Sequence, residues 1–164
     1  MATVKSTQVT NATASRPTFS EPNELQGRLR ISYFDYTVPS GGLSANDIIQ
    51  LNYLPAGRCR VLKSLSWVHS TTAFDSNADI DVGVEAHTDQ DGSTSVSATT
   101  DDLLDGGDIA TADTPIQFGT GTNADNELTR LVNAQDKVIL QASILTAGAT
   151  AADTLEGFVV YVND

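Results

Sequence analysis

Residues 46–68, NDIIQLNYLPAGRCRVLKSLSWV, constrain the fold more than any other stretch, because they spell strand, tight turn and strand without a helical period. β-branched and aromatic residues flank Pro55-Ala56-Gly57 on both sides. Proline presets the first corner of a turn, and glycine takes the left-handed conformation that closes a three-residue loop. These cues predict a β-hairpin in which Leu54 pairs with Arg58, Tyr53 with Cys59, Leu51 with Val61 and Ile49 with Lys63. In that register Ile49, Leu51, Tyr53, Cys59, Val61, Leu65 and Trp67 share a dry face. Gln50, Asn52, Arg58, Arg60, Ser64 and Ser66 point the other way. Lys63 is the exception on the dry face, expected at a bulge or with its stem along the core edge and its amine in water.

The remaining segments read as further strands. In residues 28–38, Leu29, Ile31 and Tyr33 lie on one parity and Phe34, Tyr36 and Val38 on the other, which predicts a bulge or two successive strands. Residues 78–85, ADIDVGVE, alternate strictly, with Ile80, Val82 and Val84 facing in and Asp79, Asp81 and Glu85 facing out. A threonine cap, two acids and a following glycine predict one helical turn at residues 99–104. Short strands follow at residues 128–132, 137–145 and 155–162, with Val138, Leu140, Ala142 and Ile144 on one face. Seven or eight strands without a long helix predict an all-β chain, an antiparallel β-sandwich with the jelly roll as the favoured version. Residues 1–27 are rich in Thr, Ser, Ala and Asn, contain Pro17 and Pro22, and carry no period. They predict an extended N-terminal arm ahead of a β-sandwich domain at residues 28–164.

Charge limits the partners. The chain of 164 residues has a formal net charge of -12, which argues against nucleic acid, whose phosphates need Lys and Arg. The balance is uneven: residues 1–70 carry +3 and residues 71–164 carry -15. That asymmetry predicts a basic early segment facing a partner and an acidic remainder facing solvent. No apolar run approaches the length of about 18 residues that a membrane helix needs, so no membrane partner is expected. The N-terminus has no apolar core of a secretory signal, which predicts synthesis in a cytoplasm. It also leaves the glycosylation sequon at Asn11 without consequence. Cys59, the single cysteine, reads as a small buried apolar residue.

Catalytic and metal chemistry find little footing. His69 and His87 sit in polar surroundings, and no serine occupies a GxSxG elbow. Asp89-Gln90-Asp91-Gly92 resembles part of a calcium loop, but that register puts His87 and Ala98 where carboxylates are required. The stretch reads instead as a turn held by aspartate side chains. Gly119-Thr120-Gly121 lacks the lysine and the strand-loop-helix setting of a phosphate loop. No enzyme activity, cofactor or metal is expected.

Taken together, the N-terminus MATVKSTQVTNAT, the segment NDIIQLNYLPAGRCRVLKSLSWV, the strand ADIDVGV with its Asp-rich loop, and the final strand GFVVYV resemble small tailed-phage virion proteins of the capsid decoration, or cement, kind. The resemblance covers most of the chain from about Arg28 and is densest at the LPAG turn. It implies an oligomeric jelly-roll-like β-sandwich on the exterior of an icosahedral head, bridging neighbouring major capsid subunits. It favours a trimer over a dimer and carries no catalytic residues. Arg16, Phe19, Arg28, Arg30, Arg58 and Arg60 are the candidate capsid-binding residues, the arginines for charge and Phe19 for apolar contact. An adhesive module of a head or tail fibre, binding host glycans, is the alternative. It calls for exposed aromatics in the loops of residues 86–127, where only Phe118 is available, and the hairpin register turns Trp67 inward. An enzyme on a cupin-like scaffold ranks last, since two histidines do not complete the usual metal set.

Overall fold

The computed structural model describes residues 28–121, 127–146 and 150–163. The segment assigned to an arm, with Arg16 and Phe19, lies outside the described residues. The strands are β1 (Leu29–Thr37), β2 (Ile48–Leu54), β3 (Gly57–Leu62), β4 (Trp67–Ser70), β5 (Asp79–Val84), β6 (His87–Thr88), β7 (Ser95–Val96), β8 (Leu104–Asp108), β9 (Ile116–Gln117), β10 (Thr129–Ala134), β11 (Val138–Leu145) and β12 (Thr154–Asn163). Every pairing is antiparallel: β1 with β12, β2 with β11, β3 with β10, and β5 with β8. First strand with last, second with next to last, and so inward is the pattern of one long hairpin rolled upon itself, the jelly roll.

Rolling gives two sheets. The front sheet has four lanes: β1, then β12, then β3 continued by β4, then β10 and β9. The back sheet runs β2, β11, β5, β8. Val61, Val68, Leu155 and Val159 from the front meet a core that also holds Ile80, Val82, Leu140 and Ile144 from the back, all with no exposed surface. The face expected for Val138, Leu140, Ala142 and Ile144 is the buried one. Each fully buried Leu or Ile contributes about 1.5–3 kcal/mol of transfer free energy.

Pro55-Ala56-Gly57 turns the chain as expected, with Gly57 at φ 94°, but the segment is not a hairpin. β2 and β3 belong to different sheets. Leu54 pairs with Val138, and on the far side of the corner Gly57 pairs with Ala134. A two-stranded ribbon of β2–β3 against β11–β10 therefore bends over the end of the sandwich as a unit. Buried Leu54 lies at the bend, only 1% exposed. The partners that override the local turn lie some eighty residues away, where turn chemistry carries no information.

The expected faces hold for Ile49, Cys59 and Val61, which are buried, and fail after Lys63. A single 3-10 turn, Lys63–Leu65, separates β3 from β4 and shifts the parity by one. Ser66, Val68 and Ser70 point inward, whereas Leu65 is 47% exposed and Trp67 faces outward. Lys63 is buried along its whole length, 1% exposed, so its amine is not in open water. Tyr53 is exposed as well, beyond a register shift of the β2–β11 ladder at Leu140/Gln141.

β1 is one continuous strand in unbroken register with β12, so neither a bulge nor a break occurs. Residues 99–103 form no helical turn. Thr99 and Leu103 instead donate backbone hydrogen bonds to Val84 and Val82 along the edge of β5. This segment covers the outer side of β5, so Asp81 is buried rather than solvated and accepts the Gly106 N–H at 2.8 Å. Burial, with Asp105, Asp101 and Asp79 nearby, raises the Asp81 carboxyl above its usual range.

Candidate functional site

The outer face of the front sheet is built from four lanes whose registers fix which side chains stand together. Directly opposed residues of an antiparallel pair share a face. Leu29 opposes Val162, which opposes Arg60, which opposes Leu131. One step along, Ile31 opposes Val160. Farther on, Tyr33 opposes Phe158, which opposes Trp67, which opposes Gln117. The next row is Asp35, Glu156 and His69.

The first rows make an aliphatic end in which Leu29 is 60% exposed and Ile31 70%. Leu131 is also exposed. Arg28 precedes Leu29, while Arg60 stands in the same row and Arg58 lies two residues before it on β3. Two of the four described arginine candidates, Arg58 and Arg60, thus stand at one end of this face, and Arg28 only precedes the strand. Arg30 is on the opposite parity, paired in register with Tyr161. Burial pushes the Tyr161 phenol upward, and the Arg30 charge offsets part of that rise.

The later rows make an aromatic end. Tyr33, Phe158 and Trp67 line a groove of about 530 Å³ with His69, Glu156 and Pro115, and the backbone of Gly157 and Val68 forms its floor. Glycine is required at residue 157, since a Cβ there would strike the Trp67 carbonyl and the ring of buried Phe34. The Tyr33 hydroxyl leans diagonally to donate to Glu156 Oε2 at 2.8 Å, and His69 Nε2 meets Glu156 Oε1 at 2.8 Å. These two partners, the Tyr33 bond foremost, hold the Glu156 carboxyl below its usual range. The same bond raises the Tyr33 phenol. The result is a fixed, ionised acceptor beside three aromatic rings; a phenol held protonated is a poor nucleophile at neutral pH.

Other expected sites resolve into structure. Asp91 Oδ1 accepts the Ser93 N–H and hydroxyl at 2.8 and 2.7 Å, and Asp89 Oδ1 accepts from Gln90 N at 2.7 Å and Asn133 Nδ2 at 2.6 Å. These bonds make the turn between β6 and β7, and the Ser93 bonds lower the Asp91 carboxyl. His87 Nδ1 lies 3.0 Å from the Glu85 carbonyl. Among the described residues no three His, Cys, Asp or Glu side chains gather as a metal site. Phe118 is buried, 2% exposed, and among the described residues the exposed aromatics, Tyr33 and Tyr53, lie on strands rather than in the loops.

The exposed row of β1 was signalled in the sequence by apolar residues on both parities, which mark a strand with no wet face as well as they mark a bulge. No family model matches the chain, and no curated protein matches it. Its fold is similar to that of a chain in the capsid asymmetric unit of cyanophage Pam1, 19% identical, with TM-score 0.54 and all of both chains covered. A more distant likeness, 12% identical with TM-score 0.44 over 83% of this chain and 89% of the other, is to the acidic stable capsid structure of Helicobacter pylori bacteriophage KHP30.

Proposed function

We propose that this chain is a non-enzymatic structural protein of a tailed-phage virion, a decoration or cement protein on the head exterior that bridges neighbouring major capsid subunits. The observation that carries this reading is the aliphatic end of the front sheet, where Leu29, Ile31 and Leu131 stand exposed in rows that also hold Arg58 and Arg60. Exposed apolar side chains interleaved with cations suit a protein interface on an otherwise acidic chain. The jelly-roll fold shared with a chain of a phage capsid unit supports the same reading.

The mechanism is linkage. A ligand that binds adjacent capsid subunits, and not separated ones, stabilises the assembled head by RT ln(1 + [L]/Kd). The aliphatic end supplies one contact, and residues 1–27, with Arg16 and Phe19, supply another beyond the sandwich. Assembly as a homo-oligomer, a trimer in preference to a dimer, multiplies modest contacts through effective concentration. Light scattering followed by cosedimentation with undecorated heads tests this reading. A stable oligomer that pellets with heads is expected, and a monomer that stays in the supernatant overturns it.

A further inference from the structure

The aromatic end of the front sheet has a different chemistry from the aliphatic end, and the capsid reading does not use it. Its groove is two-faced. One side is the row Tyr33, Phe158 and Trp67; the other is Glu156 and His69; Pro115 lines it as well. A volume of about 530 Å³ is in the range of small-molecule sites. The side chains stand on paired strands, so their spacing is set by the sheet and not by loop motion.

The geometry points to a binding site for a neutral oligosaccharide. A pyranose ring presents a face of C–H bonds and a rim of hydroxyls. The face stacks on aromatic rings, which are apolar and electron-rich. The rim needs fixed acceptors, and Glu156 is held in place by Tyr33 and His69, each oxygen retaining a free lone pair for a hydroxyl donor. Charge selects further. The Glu156 carboxylate in the groove, on a chain of net charge -12, repels sialylated or phosphorylated glycans, so the ligand is uncharged. Trp67 faces the groove because the 3-10 turn at Lys63–Leu65 reverses the parity of the strand that follows it.

The site carries its own probe, because Trp67 is the single tryptophan of the chain. The full-length protein is screened on an array of neutral, N-acetylated and sialylated glycans, and the best neutral binder is titrated while Trp67 emission is followed. Saturable binding of a neutral glycan with a change in emission is expected. Tyr33→Ala and Glu156→Gln each weaken it by about tenfold or more, the size expected for losing one stacked ring or one charge-assisted hydrogen bond. Ile31→Thr, at the aliphatic end, leaves it unchanged. Thermal melts of each variant check that the fold is intact, and Trp67→Phe, followed by calorimetry, retains a stacking ring and binds. An array with no neutral binder overturns the proposal, as does selective binding of sialylated glycans. An emission change that tracks protein concentration in the absence of sugar would assign the groove to a second copy of the chain instead. The capsid reading is scored separately: Tyr33→Ala and Glu156→Gln are expected to pellet with heads as the parent does, and loss of pelleting would make the groove part of that interface.

Discussion

Replacing Leu29 and Ile31 by threonine in one variant separates the fold from its proposed interface. The two side chains are 60% and 70% exposed, so a partner that covers them gains most of the roughly 1.5–3 kcal/mol that full burial of a Leu or Ile is worth. For the pair that amounts to about 2–4 kcal/mol. Threonine keeps one methyl of each, and the expected loss is about 1–3 kcal/mol, or roughly 5- to 150-fold in Kd for heads. Stability should barely move. Both positions are on the outer face of β1, threonine is a good strand former, and exposed substitutions usually change stability by less than about 0.5 kcal/mol. The assay is a cosedimentation isotherm on undecorated heads, paired with a denaturant melt of the free protein. Unchanged affinity with an unchanged melt would refute the assignment of this face. A large loss of stability would instead refute the claim that the two side chains contribute little to the free fold.

Deleting residues 2–26 should leave the denaturation midpoint of the sandwich unchanged and abolish cosedimentation with heads; undiminished pelleting would remove the arm from the interface. Leu140→Ala, at a site with no exposed surface between β2 and β5, should cost about 2–5 kcal/mol in a urea titration. Gly157→Ala should destabilise by about 1–3 kcal/mol, because its Cβ meets the Trp67 backbone and the packed Phe34 ring. The buried Asp81 titrates against the fold: its folded pKa lies above the usual 3.8. Its contribution to stability is therefore full below 3.8 and is lost as pH rises through the elevated folded value. Asp81→Asn, which keeps an acceptor for the Gly106 N–H, should be more stable than the parent at neutral pH, and the difference should disappear in acid.

What the sequence made legible is what local chemistry decides. Alternation placed Val138, Leu140, Ala142 and Ile144 on a buried face, and the turn residues placed Gly57 at a corner with positive φ. The direction of that corner was not legible. Leu54 and Gly57 pair with Val138 and Ala134 rather than across the turn, and long-range partners leave no trace in a four-residue window. Parity was equally fragile. Because side chains alternate with period two, one 3-10 turn after Leu62 reverses every face beyond it, taking Trp67 from the core to the surface. Asp81 fits a wet face until residues 99–103 fold over β5, and only the folded chain reveals that cover. The candidate arginines were visible as residues, but the placing of Arg60 in one row with Leu29 depends on β12 running between β1 and β3.

Thiol footprinting on heads tests most directly which face meets the capsid. Cys59 has no exposed surface and stays silent to a maleimide, so a single introduced cysteine reports alone. Ile31→Cys places it on the outer face of the front sheet at a position 70% exposed, and Ile48→Cys on the outer face of the back sheet at one 57% exposed. Both should label readily in the free protein. On heads, protection of the cysteine at 31 with continued labelling at 48 is the expected result; labelling at 31 with protection at 48, or equal labelling of both, would contradict a capsid interface on the front sheet.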